Sequence, residues 1–518
     1  MVGELAGPWH PARHAAADPT RPAVVMAGSG AVVTYGDLAD RSARLASALR
    51  ARGVGPGDRI AVLAENHPRY FEVCWAALRS GLYATPISTA LTAGEAGYIV
   101  SDAGASVLLA TERMADVARA VAAEQPGVLV RVAIDGAIDG FEAYDDVLAG
   151  HAGRARSDEP EGGMLLYSSG TTGRPKGIQR PLSGKPAGSS NPLAPFASRV
   201  GFGPDTVYLS PGPLYHAAPI GWSLGVLRHG GTVVVLERFD AEAALGAIER
   251  HRVTHAQFVP TMFIRMLRLP EARRAGFDGS SLRLVLHAAA PCPPEVKEAM
   301  IAWLGPIVDE YYAGSEGSGI TYLTSEEWLT HRGSVGRPIL GAVSITGDDG
   351  NELGPSEPGT IWFTGGTPYE YRGDAEATAA RRDRRGWTTL DDIGYLDADG
   401  FLHLTDRRTH MIVTGGVNVY PREAEDVLAA HPRVDDVAVI GVPHPELGEE
   451  VRAVVKPVGP GDDALARELI AYCRDRLAHL KCPRSVDFVD VLPRLPSGKL
   501  AKHVLKDRYW ADHPGRRI

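Results

Sequence analysis

The sequence predicts an α/β protein with largely parallel sheets and a smaller C-terminal unit that has its own core. Helix-like and strand-like segments alternate along most of the 518 residues, which favours parallel strands joined by helices. A chain of this length also exceeds one ordinary core and calls for two or more domains. After about residue 405 the pattern changes to a loop-rich stretch followed by short strands and two helices. The boundary is therefore placed near Asp406, giving units of 1–405 and 406–518.

The elements follow from local pattern. TYGDLADRSARLASALRARG has Thr34 as a helix N-cap, Leu38, Leu45 and Leu49 on one face, and Gly53 as a stop. Apolar, partly β-branched runs read as strands: RIAVLA from Arg59, SVLLA from Ser106, VLVRVAID from Val128, TVVVLE from Thr232 and LRLVLHA from Leu282. AEAALGAIERHR reads as a helix before the strand-like HAQFVP. Residues 181–205, rich in Gly, Pro and Ser, read as an exposed connection. In the smaller unit EAEDVLAAHP and ALARELIAYCRDRLAHL read as helices, and VDDVAVIGVP, EEVRAVVKPV and SVDFVD as strands.

Composition narrows the function. Hydrophobic residues at 44% and charged residues at 23% are ordinary globular values. A net charge of −9 gives no reason to propose a nucleic-acid partner. With no signal-peptide pattern and no apolar run able to span a bilayer, a cytoplasmic protein without a transmembrane segment is expected. Cys74, Cys292, Cys473 and Cys482 lack zinc-ligand spacing, and the 17 histidines include no HExxH, so a histidine-built metal site is not expected. Only eight of the 54 basic residues are lysine, which makes Lys176 and Lys499 stand out.

Lys176 belongs to YSSGTTGRPKG, which follows the apolar MLLY. Ser168, Ser169, Thr171 and Thr172 supply hydroxyls, Gly170 and Gly173 permit a tight path, and Lys176 adds positive charge. Such a loop leaving a strand cradles phosphate oxygens with backbone N–H groups and hydroxyls. It lacks GxxxxGK[ST], so a nucleotide enzyme outside the Walker class is implied.

The loop, with six further motifs in order, resembles the adenylate-forming enzymes (acyl-CoA synthetases, peptide-synthetase adenylation domains and luciferases), and bacterial fatty-acyl-CoA synthetases most of all. The resemblance runs nearly end to end. It implies a large N-terminal α/β domain of several subdomains and a small mobile C-terminal α+β domain. PLYHAAP is similar to the acyl-pocket segment, with His216 as gate; a core or turn histidine is the alternative. HAAAP places Ala289, Ala290 and Pro291 beside adenine, where glycines are usual. YYAGSEG implies adenine stacking by Tyr312, with Tyr311 equally available, followed by Ala313, Gly314, phosphate-side Ser315 and Mg²⁺-binding Glu316; Thr171 is the second implied Mg²⁺ ligand. GWTTLDDIGYLD implies Asp392 as the ribose ligand. Leu390-Asp391-Asp392 replaces the usual Thr-Gly-Asp, so Asp391 is a rival. LTDRRTHMIVTGG implies Arg407 on the nucleotide and Thr409 as hinge. LPSGKL implies Lys499 as the catalytic lysine, and the GGVNVYP loop with Gly415 and Gly416 faces CoA. Lys481 is a CoA-phosphate or surface lysine.

The pocket candidates are His216, Trp222, Val259, Thr261, Met262, Ala288, Ala289 and Gly314, with core packing the alternative for Trp222. PLYHAAPIGW holds no Asp to pair an amino group, so a simple apolar carboxylic acid is expected, whether fatty, branched or aryl. The expected reaction joins acid, ATP and CoA through an acyl-adenylate with Mg²⁺, giving acyl-CoA, AMP and pyrophosphate. The alternatives are a freestanding ligase loading a carrier-protein thiol and a catalytically silent homologue, which the presence of Lys499 and Glu316 disfavours. A homodimer is compatible with this reading.

Overall fold

The computed structural model describes residues 7–153, 159–167, 175–407, 410–414, 417–444, 447–494 and 500–511. Among these, a nine-stranded sheet runs in the order Arg337–Leu340, Ile320–Leu323, Val308–Ala313, Leu284–His287, His255–Phe258, Val207–Ser210, Thr232–Val235, Pro22–Met26 and Val32–Thr34. From Val308–Ala313 to Pro22–Met26 every neighbouring pair is parallel, whereas the flanking strands are antiparallel. A six-stranded, wholly parallel sheet comprises Glu142–Ala143, Val130–Ala133, Val107–Ala110, Arg59–Leu63, Tyr83–Ile87 and Gly163–Met164. Strands covered on both faces read as continuous apolar runs, as VLLA at 107–110 does.

The helices Tyr35–Ala51 and Arg69–Leu78 share a core with strands of both sheets. Thr34 caps the first through a reciprocal capping box with Asp37, and Leu38, Leu45 and Leu49 are buried as the periodicity predicts. In the second, every residue from Tyr70 to Leu78 is buried. Each large apolar side chain so enclosed contributes about 1.5–3 kcal/mol.

Three features depart from the sequence reading. The stretch 342–407 forms an antiparallel four-stranded sheet whose strands are joined without crossover helices of the βαβ kind. The segment 181–205 is only partly an exposed connection: most of its residues are exposed, but Ala187, Leu193, Phe196 and Val200 are buried, and Phe196 packs on Trp222 with ring centroids 4.8 Å apart. Apolar residues spaced among its Gly and Pro supply a core contribution that the composition hides. The helix read over ALARELIAYCRDRLAHL is shorter, Asp463–Arg474, with Asp475 at its C-cap and a turn over Cys473–Leu477.

The smaller unit has strands Ile412–Thr414, Val417–Val419, Val434–His444, Gly448–Pro457 and Ser485–Phe488 in one sheet, with helices Pro421–Ala429, Asp463–Arg474 and Lys502–Trp510. No helix among the described residues is long and apolar enough to cross a membrane.

Candidate active site

The carboxyl ends of the central parallel strands open onto a cleft of about 1680 Å³. Gly212 follows Val207–Ser210, Val259 follows His255–Phe258, Ala288 to Pro291 follow Leu284–His287, and Gly314 to Glu316 follow Val308–Ala313; all line it. Parallel α/β sheets bind ligands at this edge.

The phosphate-type loop spans the ends of two antiparallel strands, Leu166–Tyr167 and Gly177–Gln179, with Tyr167 opposite Gly177. The preceding MLLY is not one strand: Gly163–Met164 joins the six-stranded sheet, and after Leu165 the chain changes sheets. Tyr167 donates to Asp102 at 2.6 Å, and Tyr98 donates to the Pro175 carbonyl at 3.2 Å, so both ends of the loop are tied down. Ser168, Ser169, Gly170, Thr171, Thr172 and Gly173 lie outside the described residues. Lys176 lines the cleft, 3.0 Å from Asp374 and over the Tyr371 ring.

Strand alternation separates Tyr311 from Tyr312. Tyr311 turns to the apolar side, where its oxygen accepts the Trp222 indole N–H at 2.9 Å; burial pushes its phenol up to about 12. Tyr312 turns the other way and donates to Asp392 at 2.5 Å. Asp391 instead pairs with Arg381 at 3.0 Å. Of the two rival aspartates, Asp392 is therefore the one joined to Tyr312. Asp391 takes a left-handed φ of 68°, and Ala289 one of 73°. These are two of the positions where the family resemblance expects glycine, and the backbone keeps glycine's conformation under another side chain.

Glu316 lines the cleft and accepts a hydrogen bond from Tyr371 at 2.8 Å. Burial and the Glu316 charge push the Tyr371 phenol well above its ordinary value. Arg180 donates to the Ser315 carbonyl at 2.9 Å; burial pulls its pKa down against the opposing charge of Glu316. Mg²⁺ prefers oxygen ligands and is commonly held by one or two carboxylates together with substrate phosphates. A cleft-facing carboxylate beside a phosphate-type loop fits that donor set.

On the acid side, His216 occupies the N-cap position of the helix Ala217–Arg228 and stacks edge-on with Tyr215 at 4.6 Å. Ala218, Gly221, Trp222, Gly225 and Arg228 present one face of this helix to the cleft. Val259, Met262, Ala288, Ala289, Ala290, Pro291, Ala313 and Gly314 line it too, while Thr261 is not among the described lining residues. A Cβ on Gly314 would come within 2.4 Å of the Leu390 side chain and 2.7 Å of the Glu316 carboxylate, so a larger residue there would displace Glu316 or Leu390.

Lys481 is not at the cleft: its Nζ binds both Glu423 carboxylate oxygens at 2.8 and 2.6 Å. Thr409, Gly415, Gly416 and Lys499 lie outside the described residues; Arg407 is described by its backbone, opposite Asp392. The sequence reading missed Tyr371, Asp374, Arg381 and Arg180. Tyr371 sits in a two-residue strand, too short for any periodicity, that pairs with Gly177–Gln179 at the foot of the loop. It missed also Lys297, fully buried and 2.7 Å from Glu310, which its rarity as a lysine would have flagged.

Residues 11–368 match the family model described as AMP-binding enzyme, and residues 423–499 match the AMP-binding enzyme C-terminal domain. The chain is 37% identical over 516 residues to a feruloyl-CoA synthase of Amycolatopsis sp, covering 98% of this chain and 100% of the relative. It is 32% identical over 516 residues to a long-chain-fatty-acid–CoA ligase of Mycobacterium tuberculosis, covering 98% and 99%. Among solved structures, the o-succinylbenzoate CoA synthetase of Bacillus subtilis with its acyl-adenylate intermediate matches at TM-score 0.80 and 28% identity, covering 97% of this chain and 98% of that one. The chain belongs to the AMP-binding enzyme family and is an acid–thiol ligase of the adenylate-forming kind.

Proposed function

We propose that the chain is an ATP-dependent acyl-CoA synthetase acting on an apolar fatty, branched or aryl acid. The observation that carries this reading is that one cleft joins Lys176, Glu316 and Asp392 to a helix face with Ala218, Gly221 and Trp222. The carboxylate oxygen attacks the α-phosphorus of ATP, the bond to the pyrophosphate oxygen breaks, and acyl-AMP forms. The CoA thiolate then attacks the acyl carbon and AMP leaves.

Each role follows from chemistry. Two anions must meet in the first step, so cations near the phosphates lower the barrier most. Lys176 supplies one charge at the loop, and Lys499 is assigned to the carboxylate and α-phosphate as a compact, mobile charge. Asp392, held by Tyr312, offers its carboxylate to the ribose hydroxyls. Glu316, with Thr171, holds Mg²⁺, which offsets phosphate charge when bound. His216 orients the acid at the mouth of its pocket. The smaller unit, from Asp406 onward, rotates about Thr409 between the two steps, removing Lys499 and bringing the Gly415–Gly416 loop toward CoA.

The test is a mass-spectrometric assay with ATP and Mg²⁺ and with short, medium, long and aromatic acids, each with and without CoA. AMP and acyl-CoA appearing together is the expected result. Acyl-AMP that persists despite CoA would move the acceptor to a carrier-protein thiol, and no AMP with any acid would overturn the reading.

A further inference from the structure

The helix Ala217–Arg228 is enclosed almost all round. Every residue from Pro219 to Arg228 is buried except Gly221, which is exposed and lines the cleft. Glycine is a poor helix former, and a helix keeps it most readily where packing or a ligand leaves no room for a side chain. Gly225, one turn on, has a packing reason: a Cβ there would come within 2.1 Å of Leu193 Cδ1. Gly221 has none, because a Cβ on it would meet no atom within 4 Å. Its backbone is ordinary helix, so an L-residue would stand there without strain. The space in front of Gly221 is the cleft itself.

The neighbours of Gly221 fix its place on the cleft wall. Trp222, next in the chain, donates its indole N–H to Tyr311 at 2.9 Å, whereas Tyr312 turns the other way to Asp392. Gly221 thus belongs to the wall that carries Trp222, across the strand Val308–Ala313 from the Tyr312–Asp392 pair. His216 precedes it by five residues, about 7.5 Å of helix axis.

We propose that Gly221 determines which acids the cleft accepts: the body of the acid packs on the bare helix backbone there, and the missing side chain sets the width. An apolar acyl chain or the face of a ring approaches the peptide groups more closely than a Cβ would allow. The carboxylate, oriented by His216, lies about 7.5 Å back along the helix. Propanoate ends before Gly221, whereas octanoate, dodecanoate and the ring of cinnamate reach it. A side chain at 221 takes space from the second group and not from the first.

This inference rests on the acyl-CoA synthetase reading, and the experiment separates the two. For propanoate, octanoate, dodecanoate and cinnamate, kcat/KM is read from AMP release by mass spectrometry and binding is read by calorimetry. The proteins are wild type, Gly221→Leu and Gly246→Leu. Gly246 is the matched control: it too lies inside a helix, Ala241–His251, with no atom within 4 Å of a Cβ, but away from the cleft. The expected result is that Gly221→Leu lowers kcat/KM for the three larger acids about tenfold or more relative to propanoate, while Gly246→Leu keeps the wild-type ranking. An equal loss for all four acids, or an unchanged ranking, overturns the role of Gly221 and leaves the ligase standing. No AMP from wild type with any acid overturns the ligase; the binding ranking then upholds Gly221 if Gly221→Leu shifts it and overturns it if not. No binding of any acid by wild type overturns both. Should Gly221→Leu fail to fold, Gly221→Ala decides. That variant is expected to melt no lower than wild type and to shift the ranking the same way by less, and an unchanged ranking overturns the proposal.

Discussion

The two ends of the cleft are built in opposite ways. The nucleotide end is assembled from loop segments that leave different strands, and its side chains are joined in polar pairs: the ion pairs of Lys176 with Asp374 and Arg381 with Asp391, and the hydrogen bond from Tyr371 to Glu316. The acid end is built on one face of the helix Ala217–Arg228, whose Trp222 packs on Phe196 and Tyr311, with Val259, Met262 and Ala288 also lining the cleft. Charge at the first end meets a part of the substrate that does not vary, whereas packing at the second sets which acid enters. Substitutions at the nucleotide end should therefore lower turnover of every acid alike, and those at the acid end should reorder the acids.

The strongest test of that contrast is Glu316→Gln. It keeps the shape and removes the charge that faces the phosphates. The expected loss is about 10²–10³ in the adenylation rate, the scale seen when one electrostatic group is removed from a reacting site. Pyrophosphate exchange with several acids measures it. A loss that differs by more than about tenfold between acids breaks the division into two ends.

A second difference is pH dependence, carried by a buried charged cluster beneath the nucleotide end. His287 ends the strand that leads into Ala288–Pro291, and its Nε2 lies 3.4 Å from Glu310 Oε2, which also binds Lys297. Neither ring nitrogen makes a hydrogen bond. Burial pulls the His287 pKa from 6.5 to about 4, against the attraction of Glu310. The unfolded chain takes up a proton below about 6.5, and the folded protein refuses it until about 4. Stability present above the first value is lost as pH falls toward the second, by about 3 kcal/mol in full. Urea unfolding at pH 7 and pH 5 should show a loss about 2 kcal/mol greater in wild type than in His287→Leu. Equal losses would place the acid sensitivity elsewhere.

Legibility in the sequence follows the same division. The parallel strands could be read because both faces are buried and the runs are apolar, and Thr34 and Gly53 were readable from capping chemistry. Glu316 and Asp392 sit in stretches whose residue types are demanded by charge and backbone shape. The acid end lacked such signals: Phe196 and Leu193 were hidden in a Gly- and Pro-rich stretch. The short sheet at the foot of the loop was missed because strands such as Glu370–Tyr371 are too short to carry any periodicity. Tyr311 and Tyr312 were equivalent in sequence and are separated by the alternation of the strand alone.

The smallest expected effects concern the two left-handed turns. Ala289 holds a φ of 73° with a side chain that makes no hydrogen bond, while Asp391 holds 68° and keeps an ion pair with Arg381. A left-handed L-residue costs about 1–2 kcal/mol relative to glycine, and glycine returns part of that through the greater freedom of the unfolded chain. Ala289→Gly should raise stability by up to about 1 kcal/mol. Asp391→Gly relieves the same strain but forfeits a partly exposed ion pair worth about 0–1 kcal/mol, so its net gain should be smaller or absent. Urea unfolding of the two variants side by side measures the difference. Equal gains would mean that the Arg381 pair adds nothing to stability, leaving Asp391 at this turn to be accounted for by its place beside the nucleotide end rather than by the fold.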